Sequence, residues 1–536
     1  MKKEDVAYLS FLGAALIGVV VLRFSMHYGP GIGGDATIYM TSARNLLDGK
    51  GFGLIGPRGE FRILPYFAPF FSLVLGFLGL VGLPMEAAAF WLNSMLFGAL
   101  IWLASAETWR VTGSLAATWA VALLLALSPV LVPVFSWAMS EPLSIFLGFV
   151  CLGLSLAYLR QSERTWLLAA AAACGGLAFL TRYAAGAYLG AAALLLVVFS
   201  TESWGKRLAK AAIFSLVAIL PTAAWMVYNI SQTTTVSSRS VLTAAVMLER
   251  VRLFWPQMEE VVLFWLVPDS WVQAPPYPAT LNHVLSIGFV LGLAVWSLLI
   301  LRLAGKSKNS AEALYRWQIA LALFSLVYLA GIALVYFTTY PPITIGSRMM
   351  SPLLAAVLCL VVLLVVQTWR LWPQIKWLKN GLLAILFAFS VWTGVRSLRI
   401  VQQNYALGLG YNSIAWQTSD TMQVVRELQA DTLMVTNEET AVLHLTGRAS
   451  YPLAEIFVDE LQAAFGRYGD GDLTDDPAET LFRGGEAVLV VFDSLPAQVS
   501  GLYGARSEEW AAALVDGLEV VYQGADGGIY RYPKAP

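Results

Sequence analysis

The stretch PYFAPFFSLVLGFLGLVG, residues 65 to 82, decides how the rest of the chain is read. It lies in a charge-free run from Ile63 to Met85, long enough for a bilayer-crossing helix, which needs about 20 apolar residues. Whether it crosses sets the side of every later loop. Its surroundings are those of a membrane protein. Of 536 residues 58% are apolar and 13% charged, with mean hydropathy +0.66, whereas soluble domains are about a quarter charged. About eleven other spans are expected, near residues 6–24, 86–107, 112–131, 142–159, 165–180, 184–200, 209–229, 284–304, 317–338, 351–369 and 380–396. If Ile63 to Met85 does not cross, the basic clusters all fall on the side of Lys2 and Lys3. These are Arg110; Arg160 and Arg164; Lys206, Arg207 and Lys210; Arg302, Lys306, Lys308 and Arg316; Arg370, Lys376 and Lys379. If it crosses, all of them lie opposite the N-terminus. The positive-inside bias selects a surface or re-entrant segment. Pro65 and Pro69 at its head suit a helix lying along the interface.

That parity gives short basic cytoplasmic loops, a cytoplasmic N-terminus and long extracytoplasmic loops, as in a multi-pass protein of the plasma (inner) membrane. The start resembles a signal peptide without a small-residue cleavage site and is read as a span that stays attached. From Ile400 onward there are 7 basic and 20 acidic residues, a balance that speaks against nucleic acid as a partner. Cys151, Cys174 and Cys359 all sit in apolar stretches, with no metal-ligand spacing. Two domains are expected: a membrane domain over 1–399, with its first outward loop at 25–85, and an extracytoplasmic α/β domain over 400–536. In the latter, Asp420–Gln429 and Glu508–Asp516 have helical spacing, Thr432–Thr436 and Ala487–Phe492 read as buried strands, and LEVVYQGADGGIYRYP as a hairpin turning at Asp526 and Gly527. Asp470, Asp472, Asp475 and Asp476 lack the order of a calcium loop and read as a solvated acidic loop.

The first outward loop contains GGDATIYMTSARNLLDGKGF, residues 33 to 52. From Asp35 to Asp48 it is an amphipathic helix, with Ala36, Tyr39, Met40, Ala43, Leu46 and Leu47 on one face and Gly49 as its stop. Asp35 after two glycines fits a helix N-cap, and the glycines also let another molecule approach closely. A glycine-flanked Asp after the first span, a tyrosine, A-R-N-L, a G-x-G-F turn and a proline- and aromatic-headed amphipathic segment resemble the GT-C superfamily of membrane glycosyltransferases. The likeness is to the branch of protein O-mannosyltransferases and lipid A aminoarabinose transferases, and covers roughly residues 1 to 400. It implies an all-helical polytopic bundle with juxtamembrane helices, a catalytic Asp35, and Tyr39, Arg44 and Asn45 in support. Ser140-Glu141-Pro142 stands where the family often has an outward acidic residue, Thr181-Arg182-Tyr183 at an outward turn, and Arg348 ahead of Pro352 where an arginine can hold the carrier phosphate.

The resemblance thus implies transfer of a hexosyl or pentosyl group from a polyprenyl-phosphate donor to an outward glycan, lipid or protein acceptor, with inversion. Attack by a hydroxyl requires a base, the role given to Asp35. An anionic lipid-phosphate leaving group requires positive charge, the role given to Arg348 and Arg182. Interfacial snorkelling is the alternative for both arginines. Glu141 could orient the acceptor, hold a divalent metal or cap its helix; Tyr183 is a supporting residue. No cofactor is certain, a divalent metal stays open, and Gly33 and Gly34 leave no second carboxylate directly before Asp35. His27 reads as structural. The loop 230–283, with Trp255, Trp265 and Trp271, reads as an interfacial anchor or a lid. The rival functions are a lipid or polysaccharide flippase, which would place charges at midplane, and a noncatalytic scaffold.

Overall fold

The computed structural model describes residues 3–233, 240–241, 244–273, 276–278, 280–306, 312–340, 343–453 and 477–533. The four aspartates 470, 472, 475 and 476, and also Pro275 and Lys308, lie outside the described residues. The chain forms two compact units. One comprises Met1–His27, Pro65–Val74 and Ala87–Ala406; the other comprises Tyr28–Leu64, Leu75–Glu86 and Leu407–Pro536. The first loop therefore groups with the tail.

Each of the expected spans falls on a helix. Among the described residues, eight are long and apolar enough to cross a membrane: Tyr8–Ser25, Met85–Thr112, Glu141–Arg160, Trp204–Gln232, Thr280–Leu303, Glu312–Thr338, Ser351–Leu371 and Lys376–Leu407. Three are shorter, Leu115–Ala126, Thr165–Thr181 and Gly186–Phe199. The first of them starts after Gly113, at a φ of +62°, with the Ser114 hydroxyl accepting from Ala117 N, and it stops before Pro129. Ser351–Leu371 is the most enclosed span, 94% of its apolar window being buried, whereas Thr280–Leu303 is 17% buried and leaves Leu291 and Leu298 exposed. Apolar helices with exposed apolar faces are suited to lipid. Where helices touch, small residues allow it: a Cβ on Gly176 would come within 2.5 Å of Ala218 O on the neighbouring helix. The chain is a multi-pass membrane protein.

The stretch that opened the sequence reading folds as a helix only over Phe70–Leu80, 11 residues or about 16 Å long. That is half of a hydrocarbon core of about 30 Å. The Pro69 carbonyl accepts from Leu73 N at its start, and Gly82, at a φ of +89°, follows its end.

In the second unit a five-stranded sheet has the order Tyr451–Pro452, Leu433–Thr436, Ala487–Phe492, Gly527–Arg531, Glu519–Gln523. The first three strands are parallel and the last two form an antiparallel hairpin. The expected strands and hairpin are present, as are helices Asp420–Glu427 and Ser507–Val515. Asp526 Oδ1 accepts from Thr421 N and its hydroxyl, at 3.1 and 2.8 Å, which pins the hairpin turn to the first of those helices. Helix Glu439–Thr446 and strand Tyr451–Pro452 are additions to the sequence reading. In the first loop, Gly53–Ile55 pairs antiparallel with Phe61–Ile63.

Candidate active site

The helix bearing Asp35 runs from Gly34 to Leu47, and its N-cap is Gly33, in extended conformation with no side-chain cap bond. This corrects the capping assignment: Asp35 lies inside the first turn, where its charge meets the positive end of the helix dipole. The glycines move the start upstream, because Gly33 C=O already accepts from Thr37 N at 2.9 Å. Tyr39 is buried one turn on. Asn45 is also buried and donates to Gly53 O at 2.7 Å, beside Ser42 Oγ at 3.4 Å, so it fastens the G-x-G-F turn to the helix. Gly49 and Gly51, at φ of +72° and +103°, let the chain reverse there. Arg44 is exposed, and Leu47 is exposed rather than on the buried face.

In the same unit, Gly34 faces the tail helix Glu439–Thr446: a Cβ there would lie 3.7 Å from Thr440 Oγ1. The Tyr411 and Thr440 hydroxyls are 2.7 Å apart, and burial pushes the Tyr411 phenol up to about 12. Glu438 accepts from Ser494 Oγ at 2.6 Å and Gln498 Nε2 at 2.7 Å. Burial raises the carboxyls of Glu438 and Glu439, the hydrogen bonds to Glu438 acting the other way. His444 stands 3.7 Å from Glu86. Burial lowers its basicity, Glu86 opposes this, and Arg44 adds to it. None of these tail residues was singled out in the sequence. The available signal was position: the polar run Asn437-Glu438-Glu439-Thr440 follows the carboxyl end of a parallel strand, where α/β sheets place their ligands.

The membrane unit gathers the other three charged candidates. Glu141 opens helix Glu141–Arg160 after Ser140, with Pro142 next, and is 1% exposed. Arg182 Nη1 lies 2.9 Å and Arg348 Nε 3.1 Å from its Oε1, as charge contacts rather than aligned hydrogen bonds. Arg182 is the C-cap of Thr165–Thr181 and also donates to Ser140 Oγ at 3.2 Å. Arg348 precedes Ser351–Leu371 in a turn held by Ser351 Oγ and Ser351 N donating to its carbonyl and by Tyr328 OH donating to Met349 O at 2.5 Å. One buried carboxylate thus sits between two guanidiniums, an arrangement that offsets the cost of burying its charge. Tyr183 OH and Asn229 Nδ2 both donate to Pro65 O, each at 3.3 Å.

Helix Ala244–Leu266, from the tryptophan-rich loop, is fastened to the segment leading into Arg348. Arg250 Nη1 donates to Tyr336 O at 2.8 Å and Thr339 O at 2.6 Å, and Gln257 Oε1 accepts from Ile345 N at 3.3 Å. Trp265 is buried and Trp271 exposed, while His27 stacks on Tyr405 at 4.2 Å. Among the described residues no three His, Cys, Asp or Glu side chains gather into a metal site.

No protein-family profile matches the sequence, and no curated protein sequence does. Solved structures do. The chain is similar to the oligosaccharyltransferase AglB from the archaeon Archaeoglobus fulgidus in complex with an inhibitory peptide and a dolichol-phosphate. The TM-score is 0.52 at 14% identity, over 100% of this chain and 75% of that one. The apo form of the Archaeoglobus fulgidus oligosaccharyltransferase gives 0.52 at 14% identity, over 98% and 74%. The chain has the GT-C fold. ArnT from Cupriavidus metallidurans bound to undecaprenyl phosphate scores 0.48 at 14% identity, over 100% and 99%.

Proposed function

We propose that this GT-C protein transfers a sugar from a polyprenyl-phosphate carrier to an extracytoplasmic hydroxyl acceptor. The observation that carries the proposal is the pair Arg182 and Arg348, brought from separate loops to one buried Glu141. Two guanidinium forks held side by side by a single carboxylate form a binding place for a phosphodiester. The AglB structure that the fold resembles holds a dolichol-phosphate, a lipid phosphate of the kind such a transfer leaves behind.

In the proposed reaction the acceptor oxygen attacks the anomeric carbon as the bond from that carbon to the phosphate oxygen breaks. The electron pair leaves with the phosphate, which gains one negative charge opposite the arginines. The hydroxyl proton passes to Asp35, and single displacement inverts the anomeric centre. Glu141 acts in this scheme by holding both arginines, not by touching substrate. The N-terminus is cytoplasmic, and Asp35, the arginines and the tail face outward across the plasma membrane. The test is mass spectrometry of lipid-linked sugars in a strain lacking the gene, followed by transfer from the accumulated donor by purified protein in nanodiscs. Accumulation of a polyprenyl-phosphate sugar that the protein consumes is expected; an unchanged lipid pool would sink the proposal.

A further inference from the structure

We infer that the tail is the positioning element for the Asp35 helix, through Gly410, Tyr411, Asn412 and Thr440. This rests on the assignment of Asp35 as the base. The helix Gly34–Leu47 is 14 residues long, and an isolated helix of about 12–15 residues is marginal in water. A base must nonetheless be held to within about 0.5 Å of its working position. What holds it lies within its own compact unit. After the last span the chain turns at Gly408, φ +76°, and at Gly410, φ +55°. Gly410 pairs in parallel with Ile32, and Tyr411 N donates to Ile32 O at 2.7 Å. A Cβ on Gly410 would stand 2.0 Å from Ile32 O, so glycine alone permits the approach.

The next residue continues the seam. Asn412 Nδ2 donates to Pro30 O at 3.0 Å and reaches Glu86 Oε2 at 3.4 Å. The backbone entering the helix is thereby held at Pro30 and Ile32, and Tyr411 then braces Thr440, which faces Gly34. Ile32, Ala36 and Met40 are buried on the loop side, and Leu409 and Tyr411 on the tail side. The hydrogen bonds of this seam fall at Pro30 and Ile32, just upstream of Asp35. A tail that merely covered the site would have no need to hold the backbone just upstream of one carboxylate.

The experiment uses the full chain in nanodiscs. Gly410→Ala is compared with Gly517→Ala, a tail glycine at a φ of +75° with open space around it, which carries the same backbone strain without touching the loop. Amide exchange over residues 30–47 is measured, and turnover is expressed per molecule that binds undecaprenyl phosphate, so that loss of folded protein is cancelled. A misplacement of about 1 Å can cost about 100-fold in rate. Gly410→Ala should speed exchange over 34–47 at least tenfold and cut turnover per binding molecule at least tenfold, with donor KM within twofold. Gly517→Ala should leave all three unchanged. Should Gly410→Ala not fold, Asn412→Ala, which removes the side-chain bonds to Pro30 and Glu86 and leaves the backbone pairing, is expected to give smaller changes in the same direction. Wild-type exchange in the variant that folds, faster exchange with wild-type turnover, or equal effects from Gly517→Ala would each overturn the inference. The base assignment fails separately, on an active Asp35→Asn, whereas the exchange comparison reads the docking alone.

Discussion

Asp35→Asn separates the chemical from the structural reading of that residue more cleanly than the sequence suggested. Because Gly33 is the cap, the substitution spares the cap, and the first-turn charge it removes is worth about 0.3–1 kcal/mol. A general base contributes about 100- to 10,000-fold, so turnover should fall at least 100-fold while expression and insertion stay normal. Transfer from the lipid donor at near-wild-type rate would end the catalytic assignment. At Arg348, alanine should weaken use of the donor far more than lysine, since a point charge partly replaces the fork; equal, near-wild-type kinetics would return it to an interfacial anchor. Glu141→Gln tests the carboxylate that holds the two arginines together. Without it the guanidiniums lose the group that brings them side by side, so undecaprenyl phosphate should bind several-fold more weakly. Unchanged or tighter binding, measured by titration, would refute the positioning role. Asp35, Glu141, Arg182 and Arg348 could be picked from the sequence because each adjoins a glycine, a proline or the end of an apolar run. That the last three meet could not be read there, since they come from three loops with no shared periodicity.

At the scale of elements, the strands Leu433–Thr436 and Ala487–Phe492 were legible because continuous apolar runs bounded by turns mark buried strands. The helix Glu439–Thr446 was not, because it buries only Ala441 and Val442, too few for an apolar period, and its other contacts include polar ones, at Thr440 and His444. One of those contacts titrates. Burial holds His444 below the usual histidine value of about 6.5, so the folded state binds its proton less readily than the unfolded one. The stability this gives is present above about pH 6.5 and is lost as pH falls through the lower folded value. Amide protection over 439–446 should therefore be flat above neutrality and decline toward pH 5, and His444→Gln should flatten the decline. Glu438 and Glu439, raised by burial, have the opposite sign, their contribution fading as pH rises through their raised values, so they do not produce an acid-side loss. A profile unchanged by His444→Gln would assign the loss to other groups.

For the whole molecule, the grouping of the first loop with the tail is what the sequence concealed: nothing in the residues around Ile32 announces a partner at Gly410. Charge, by contrast, carries an expectation about topology, and with it about the side on which the proposed chemistry occurs. The basic clusters share one side only if Ile63 to Met85 fails to cross, and the helix formed there, Phe70–Leu80, is about half the length a crossing needs. Single cysteines at Asp48 and Ser114, in a background without Cys151, Cys174 and Cys359, place the two ends of the intervening segment on opposite faces if one span, Met85–Thr112, lies between them. Asp48 is exposed after the first-loop helix, and Ser114 caps the following helix, so Ser114→Cys costs about 1 kcal/mol of local stability without moving a span. An impermeant maleimide should label position 48 in intact cells and position 114 only after permeabilisation. If position 114 labels from outside, Ile63 to Met85 crosses after all. The basic loops then face outward, and Arg182 and Arg348, between later spans, lie on the cytoplasmic side, where an outward sugar transfer could not use them.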